Sequence, residues 1–256
     1  MVPADLLEPS RHRAIVEDVE RASLRAWPAP HEQRIGGWLL RMAGGYTKRA
    51  NSATLLDGGA PDLDQDIARC EAYYRAAGLP PIFRLPSYTV GAADDLLVAR
   101  GYRLVEPVLV LGLALAAAPT DGIAPADSLE LDEWLDIYSR LQGSTADGRT
   151  AHRRILETIS LPALYAVTTE RDAPVACALG VLDGSHFGLF DVVTDPARRN
   201  RGFGRRLIAG MLGWARTRGA TLAYLQVSEH NAPALRLYDK LGFTQLYRYW
   251  YRVAPT

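Results

Sequence analysis

The chain has 256 residues, with 29 lysines and arginines against 29 aspartates and glutamates, and 48% of it is apolar or aromatic. That is enough to bury one large core or two ordinary ones, while a zero formal net charge argues against a general nucleic-acid binder, whose phosphate affinity rests on excess basic charge. The longest apolar run, Val108 to Ala118, falls short of the ~20 residues of a membrane helix, and the first residues lack a signal-peptide layout, so a cytoplasmic protein that does not bind membranes is expected.

Apolar periodicity and turn punctuation predict, in chain order, a helix over 10–27, strands over 37–42 and 52–56, and a helix over 63–77. A short strand over 82–85, a helix over 92–100 and a strand over 103–113 complete a first lobe, 1–115. Alanines with Pro119, Gly122 and Pro125 predict a linker over 116–127. In the second lobe, 128–256, helices are expected over 131–141 and 150–159, then strands over 164–168, 175–182 and 187–194. A helix over 202–218, a strand over 222–227, a helix over 232–241 and a strand over 246–253 follow. The order predicts an α/β chain with a mixed sheet of the α+β kind. Gly101-Tyr102 and Gly242-Phe243 each stand between a predicted helix and the last strand of a lobe, a repeated stop signal that suggests two related lobes. Cys70 and Cys177 lack metal-ligand spacing and read as small core hydrophobes.

Chemistry concentrates at Arg199-Asn200-Arg201-Gly202-Phe203-Gly204, between a strand and a helix, with Arg198, Arg205 and Arg206 beside it. Two glycines at a helix start let backbone N–H groups approach an anion that the helix dipole also favours. A Walker loop is excluded because the chain has no Gly-Lys pair, and the dinucleotide fingerprint fits poorly because Leu207 stands where its third glycine belongs. A helix start that happens to be rich in arginine is the bland alternative.

The stretch resembles the acetyl-CoA motif of the GCN5-related N-acetyltransferase (GNAT) superfamily, Arg/Gln-x-x-Gly-x-Gly/Ala, with Arg199, Gly202 and Gly204 at the matching positions. The resemblance is to two-lobed members whose first lobe is degenerate, and it implies a tandem GNAT-like acyl-CoA N-acyltransferase fold. It implies acetyl-CoA as cosubstrate, with Arg199 to Arg205 around the pyrophosphate and Val192, Val193 and Thr194 along pantetheine. Asn231, equally suited to capping a helix, would contact the coenzyme arm. Tyr238 would protonate the departing thiolate, unless it is a core tyrosine. Family members often carry a glutamate base where this chain has Gly188, which leaves Asp191, His186 and Glu229 as candidates for a base acting through water. An acyl-enzyme on Cys177 is conceivable, but direct transfer is favoured because nothing in the sequence places a histidine beside it. Trp38, Arg49 and Asn51 either support the interface between lobes or line an acceptor cleft. The expected activity is acetyl transfer to a primary amine of a small molecule or peptide. The alternative is a non-catalytic acyl-CoA-binding regulatory module. No metal is implied, and a homodimer is compatible with the resemblance.

Overall fold

The computed structural model of the protein describes residues 9–59, 61–119 and 126–254. The first half comprises α1 (Pro9–Ala26), β1 (His31–Ile35), β2 (Trp38–Met42), β3 (Ala53–Leu55), α2 (Leu63–Ala76), β4 (Ile82–Pro86), α3 (Ala93–Ala99) and β5 (Arg103–Ala114). The second comprises α4 (Leu131–Gln142), α5 (Ala146–Leu156), β6 (Ala163–Glu170), β7 (Ala173–Asp183), β8 (His186–Thr194), α6 (Phe203–Thr217), β9 (Leu222–Ser228), α7 (Ala232–Lys240) and β10 (Thr244–Val253). Ten strands form one mixed sheet in the order β1-β2-β3-β4-β10-β5-β9-β8-β7-β6. Only β3–β4 and β8–β9 are parallel pairs. Each half lends its last strand to the other: β10 lies between β4 and β5, and β5 between β10 and β9.

Most predicted elements appear within a few residues of their expected bounds. The edge strand β1 was not expected, because four of its five residues are exposed and polar and only Ile35 is buried, so it carries no apolar alternation. Helix α5 starts at Ala146 rather than 150, since Thr145 caps it by accepting from the Gly148 N–H at 3.1 Å. Both stop signals behave as read. Gly101 and Gly242 take φ of 82° and 88°. The Tyr102 and Phe243 N–H groups then reach back to the Leu97 and Tyr238 carbonyls, both at 3.0 Å, the six-to-one bond of a Schellman cap. Of the predicted linker, 120–125 lie outside the described residues. Its flanks are tied to the body, with the Leu115 N–H on Thr221 O at 2.8 Å and the Ala126 N–H on Gly210 O at 3.1 Å.

One core cluster packs α6 and α7 on one side of the second half, and a second places α1 and α4 against strands of both halves. Two buried arginines fasten this seam. Arg84 on β4 pairs with Glu20 on α1, both side chains 2% exposed, and Glu20 also accepts from the Tyr247 hydroxyl. Arg41, fully buried, donates to Glu32, to the Arg49 and Leu24 carbonyls at 3.1 Å each, and to the Trp27 carbonyl. It thereby joins the end of α1 to the loop after β2. Asn51 stiffens the same loop: its Oδ1 accepts from the Ala43 and Gly45 N–H groups at 2.7 and 2.8 Å, and its Nδ2 donates to Thr47 O at 2.7 Å.

Candidate active site

The site begins with a defect in a strand. Val193 pairs with Cys177 and Phe190 with Leu179, so Asp191 and Val192 together oppose the single residue Ala178. This is a β-bulge, and Asp191 takes a left-handed φ of 50° within it. On its other side β8 pairs with β9 only from His186/Leu222 to Leu189/Leu225, although the strands run on to Thr194 and Ser228. Beyond Leu189 the two strands splay, and the β8 backbone at Val192 to Thr194 has no strand partner on that side.

The strand then leads into the arginine-rich turn. Asn200 and Gly202 have φ of 61° and 81°, and Gly202 is the residue from which α6 starts, with no side chain capping it. The first N–H groups of a helix have no intrahelical partner, so those of Phe203, Gly204 and Arg205 are available to an anion. A Cβ at Gly204 would lie 3.3 Å from Thr194 Oγ1 and 3.5 Å from Leu237 Cδ2, so strand end, helix start and α7 meet there. Phe203 is buried and carries the Arg206 guanidinium 4.7 Å from its ring. Arg198 and Arg201 pair with Glu170 at 3.0 and 2.6 Å, whereas Arg199 and Arg205 are exposed and make no ion pair among the described residues.

The bulge sends its two residues to opposite sides of the sheet. Val192 packs against the cluster that contains Tyr238 and α6. Tyr238 is 6% exposed, stands edge-on to Phe243 at 5.9 Å, and its hydroxyl has no hydrogen-bond partner among the described residues. Burial pushes its phenol up to about 12, so it holds its proton throughout the neutral range. Asn231 caps α7 by accepting from the Ala234 N–H at 3.2 Å, the structural role the sequence allowed it.

On the other side Asp191 Oδ2 meets His152 Nε2 at 2.9 Å. His152 comes from α5, is 1% exposed, and its Nδ1 is buried without a partner. An aromatic wall surrounds it: Tyr46 stacks at 5.3 Å, Tyr138 stands edge-on at 4.9 Å, and Trp27 and Trp134 lie at 5.8 and 6.2 Å. Tyr46 and Trp27 belong to the first half, and Tyr138, Trp134 and His152 to the second. Burial, then the Asp191 carboxylate, pushes the Tyr138 hydroxyl well above its usual value. The sequence reading named Asp191 and missed His152, because the two are 39 residues apart and only the sheet brings α5 over the bulge.

Other candidates fall elsewhere. His186 begins β8, five residues before the bulge, and faces Ser185. Glu229 follows β9, with its N–H on Pro107 O at 3.1 Å. Cys177 is fully buried, and burial pushes its thiol up to about 12, which keeps it unreactive at neutral pH. At Gly188 a Cβ would lie 2.6 Å from Phe190 Cε2 and 2.7 Å from the Tyr224 hydroxyl, so these rings fill the space in which a strand glutamate would stand. Trp38 is fully buried in the first-half core and Asn51 is spent on its loop, so neither lines the bulge, whereas Arg49 does approach it. Two surface concavities, one between α4, β6 and α6 and one between α1 and β10, contain none of Asp191, His152 and Tyr238.

Residues 14–252 match the family described as "Probable histone acetyltransferase Rv0428c C-terminal". The chain belongs to that acetyltransferase family. It is 29% identical over 248 residues to an uncharacterized N-acetyltransferase, YobR, of Bacillus subtilis, covering 93% of this chain and 98% of that protein. Its fold matches a GCN5-related N-acetyltransferase from Kribbella flavida, with TM-score 0.72 and 16% identity over 96% of this chain and 95% of that one. It also matches a tandem GNAT protein from the clavulanic acid biosynthesis pathway, with TM-score 0.63 and 17% identity over 94% of this chain and 88% of that one. The protein thus has the mixed α/β fold of GNAT proteins, a tandem one among them, and is an N-acetyltransferase by family. Among the described residues no helix is long and apolar enough to cross a membrane.

Proposed function

We propose that the protein transfers an acetyl group from acetyl-CoA to a primary amine of a small molecule or peptide, by direct attack while both are bound. The observation that carries this reading is the bulge at Asp191 and Val192, with the Asp191–His152 pair on one side of the sheet and Tyr238 on the other. The residues present fit an acyl-CoA: an uncapped helix start and two unpaired arginines stand at one end of α6, and the tyrosine with an unpartnered hydroxyl follows Leu237, which meets that helix start. When bound, the coenzyme would supply the activated acyl group as a thioester.

The N–H groups around Gly202 to Arg205, with Arg199, would hold the pyrophosphate, and Asn200, Arg201, Phe203 and Asn231 would frame the coenzyme arm. Val192, Val193 and Thr194 would offer backbone groups to pantetheine and to the carbonyl oxygen, an electrostatic contribution worth about 3–4 kcal/mol where such donors have been removed. Asp191 accepts from His152 Nε2, which fixes the neutral tautomer with its lone pair on Nδ1. His152 takes the proton the amine nitrogen loses as that nitrogen bonds to the acetyl carbon. Tyr238 gives its proton to the sulfur as the carbon–sulfur bond breaks, so the products are an amide and a free thiol. The inert Cys177 favours this single transfer over an acyl-enzyme. We further propose that 1–115 and 128–256 are the two lobes, joined at 116–127, and that only the second binds coenzyme.

The test is release of coenzyme thiol from acetyl-CoA across a broad amine panel, with calorimetry for coenzyme binding. Binding without thiol release to any amine would make the protein a sensor rather than a transferase.

A further inference from the structure

Buried arginines in this fold are spent on partners: Arg41 on Glu32 and three carbonyls, Arg84 on Glu20, and Arg252 on Asp94 at 2.8 Å. Arg49 is the exception. It is half-buried at the seam, its guanidinium makes no hydrogen bond or ion pair among the described residues, and its Nε is buried without a partner. Its Cζ lies 5.3 Å from the Trp27 ring and 5.6 Å from the Phe190 ring, so aromatic faces orient the fork and leave its N–H edge free. Its backbone is fixed, because its carbonyl accepts from Arg41 and Asn51 braces its loop.

Other unpartnered groups gather around the same rings. Trp27 Nε1, 1% exposed as a residue, is a buried donor without an acceptor, and so is the Tyr224 hydroxyl, whose ring stands edge-on to Phe190 at 6.3 Å. A buried donor left unsatisfied is costly, so several of them around one pair of rings call for an acceptor that arrives from outside. Donors and a cation together call for an anion. The Trp27 ring is also 5.8 Å from the His152 ring, so the donor set and the Asp191–His152 pair flank one tryptophan. Tyr138 feels both: the Asp191 carboxylate raises the pKa of its hydroxyl and the Arg49 guanidinium lowers it.

Resting on the transferase reading above, we propose that the acceptor is an amino acid or close analogue whose carboxylate is gripped by Arg49 while its amine faces His152 and Asp191. A planar carboxylate suits the fork of a guanidinium, and its short distance from the amine suits two groups that share Trp27. An amine without the carboxylate leaves the seam donors unpaired, which is the strongest ground on which a polar site rejects an analogue.

The experiment pairs amino acids with their decarboxylated or amidated twins: alanine with alaninamide, phenylalanine with phenethylamine, lysine with cadaverine, γ-aminobutyrate with propylamine. Binding is measured by titration calorimetry without coenzyme, and transfer by thiol release with acetyl-CoA. At least one acid should bind about tenfold or more tightly than its twin. Arg49→Gln should erase that preference and Arg49→Lys should keep part of it, both with unchanged coenzyme affinity and native circular dichroism. Equal binding of the twins in every pair, or a preference that survives Arg49→Gln, overturns the proposal. Transfer to amines without regard to the carboxylate would sink this site and leave the transferase standing. A carboxylate preference in binding with no transfer would do the reverse.

Discussion

Replacing Asp191 by asparagine isolates the charge at the bulge from its shape. Asparagine tolerates the left-handed φ of 50° and its Oδ1 still accepts from His152 Nε2, so backbone and imidazole tautomer both persist. What disappears is the negative charge that faces the imidazole as it takes a proton. His152 is 1% exposed and Asp191 15% exposed by side chain, so solvent replaces little of that interaction. A hydrogen bond to a charged group contributes ~1.5–3 kcal/mol, which converts to ~10- to 150-fold in kcat/KM. The loss should fall on acyl transfer, measured as thiol release at saturating acetyl-CoA, while coenzyme affinity and the melting temperature stay close to those of the wild type. His152→Gln should be at least as severe, and the double variant no worse than the worse single one, because the two side chains act as a unit. Asp191→Asn with wild-type kcat/KM and native circular dichroism would remove the pair from the mechanism.

Tyr238→Phe should lower kcat ~10²-fold or more with the KM for acetyl-CoA nearly unchanged. An acid must be protonated to act, so its contribution is present below its pKa and lost above; with the phenol at about 12, Tyr238 should impose no loss of kcat between pH 7 and pH 10. A basic limb in that range that vanishes in Tyr238→Phe would contradict this. Gly202→Val should weaken coenzyme binding by calorimetry about tenfold or more, because φ of 81° is forbidding for a β-branched residue and the new methyl groups would crowd the helix start. Normal coenzyme affinity would disprove the cradle. Glu20→Gln should cost about 3–5 kcal/mol of stability by leaving Arg84 buried and uncompensated, whereas Glu20→Gln with Arg84→Met should recover much of it; thermal melts of the two variants decide this.

The sequence makes the coenzyme side of this protein legible and its acceptor side nearly illegible, for a physical reason. Arg199, Gly202 and Gly204 lie within six residues, and their job is done by local backbone shape, so their spacing carries the signal. The Schellman stops at Gly101 and Gly242 are equally local. The proposed base is not: His152 reaches Asp191 only because α5 is laid across β8, and a histidine amid helical spacing looks like any other core residue. The bulge has no composition of its own, since Phe190-Asp191-Val192 fits a regular strand. The missing glutamate at Gly188 is explained by the rings of Phe190 and of Tyr224, which the parallel register of β8 and β9 sets opposite it. Strand β1 escapes notice because an edge strand with one buried side chain leaves no period to detect.

The exchange of β5 and β10 turns these scattered residues into one site. With β10 between β4 and β5, the two halves share a continuous sheet, and α1 packs on strands of both. The end of α1 then carries Trp27 to the bulge, and the loop after β2 brings Tyr46 and Arg49 to the same place, held by Arg41 and Asn51. The first half thus supplies Trp27 and Tyr46 to the aromatic wall around His152 and sets the Arg49 guanidinium against the same Trp27. Its polar side chains Arg41 and Asn51 are spent on bracing the loop after β2 against the end of α1, which fixes the spacing of Arg49 from His152, the quantity the proposed acceptor would feel.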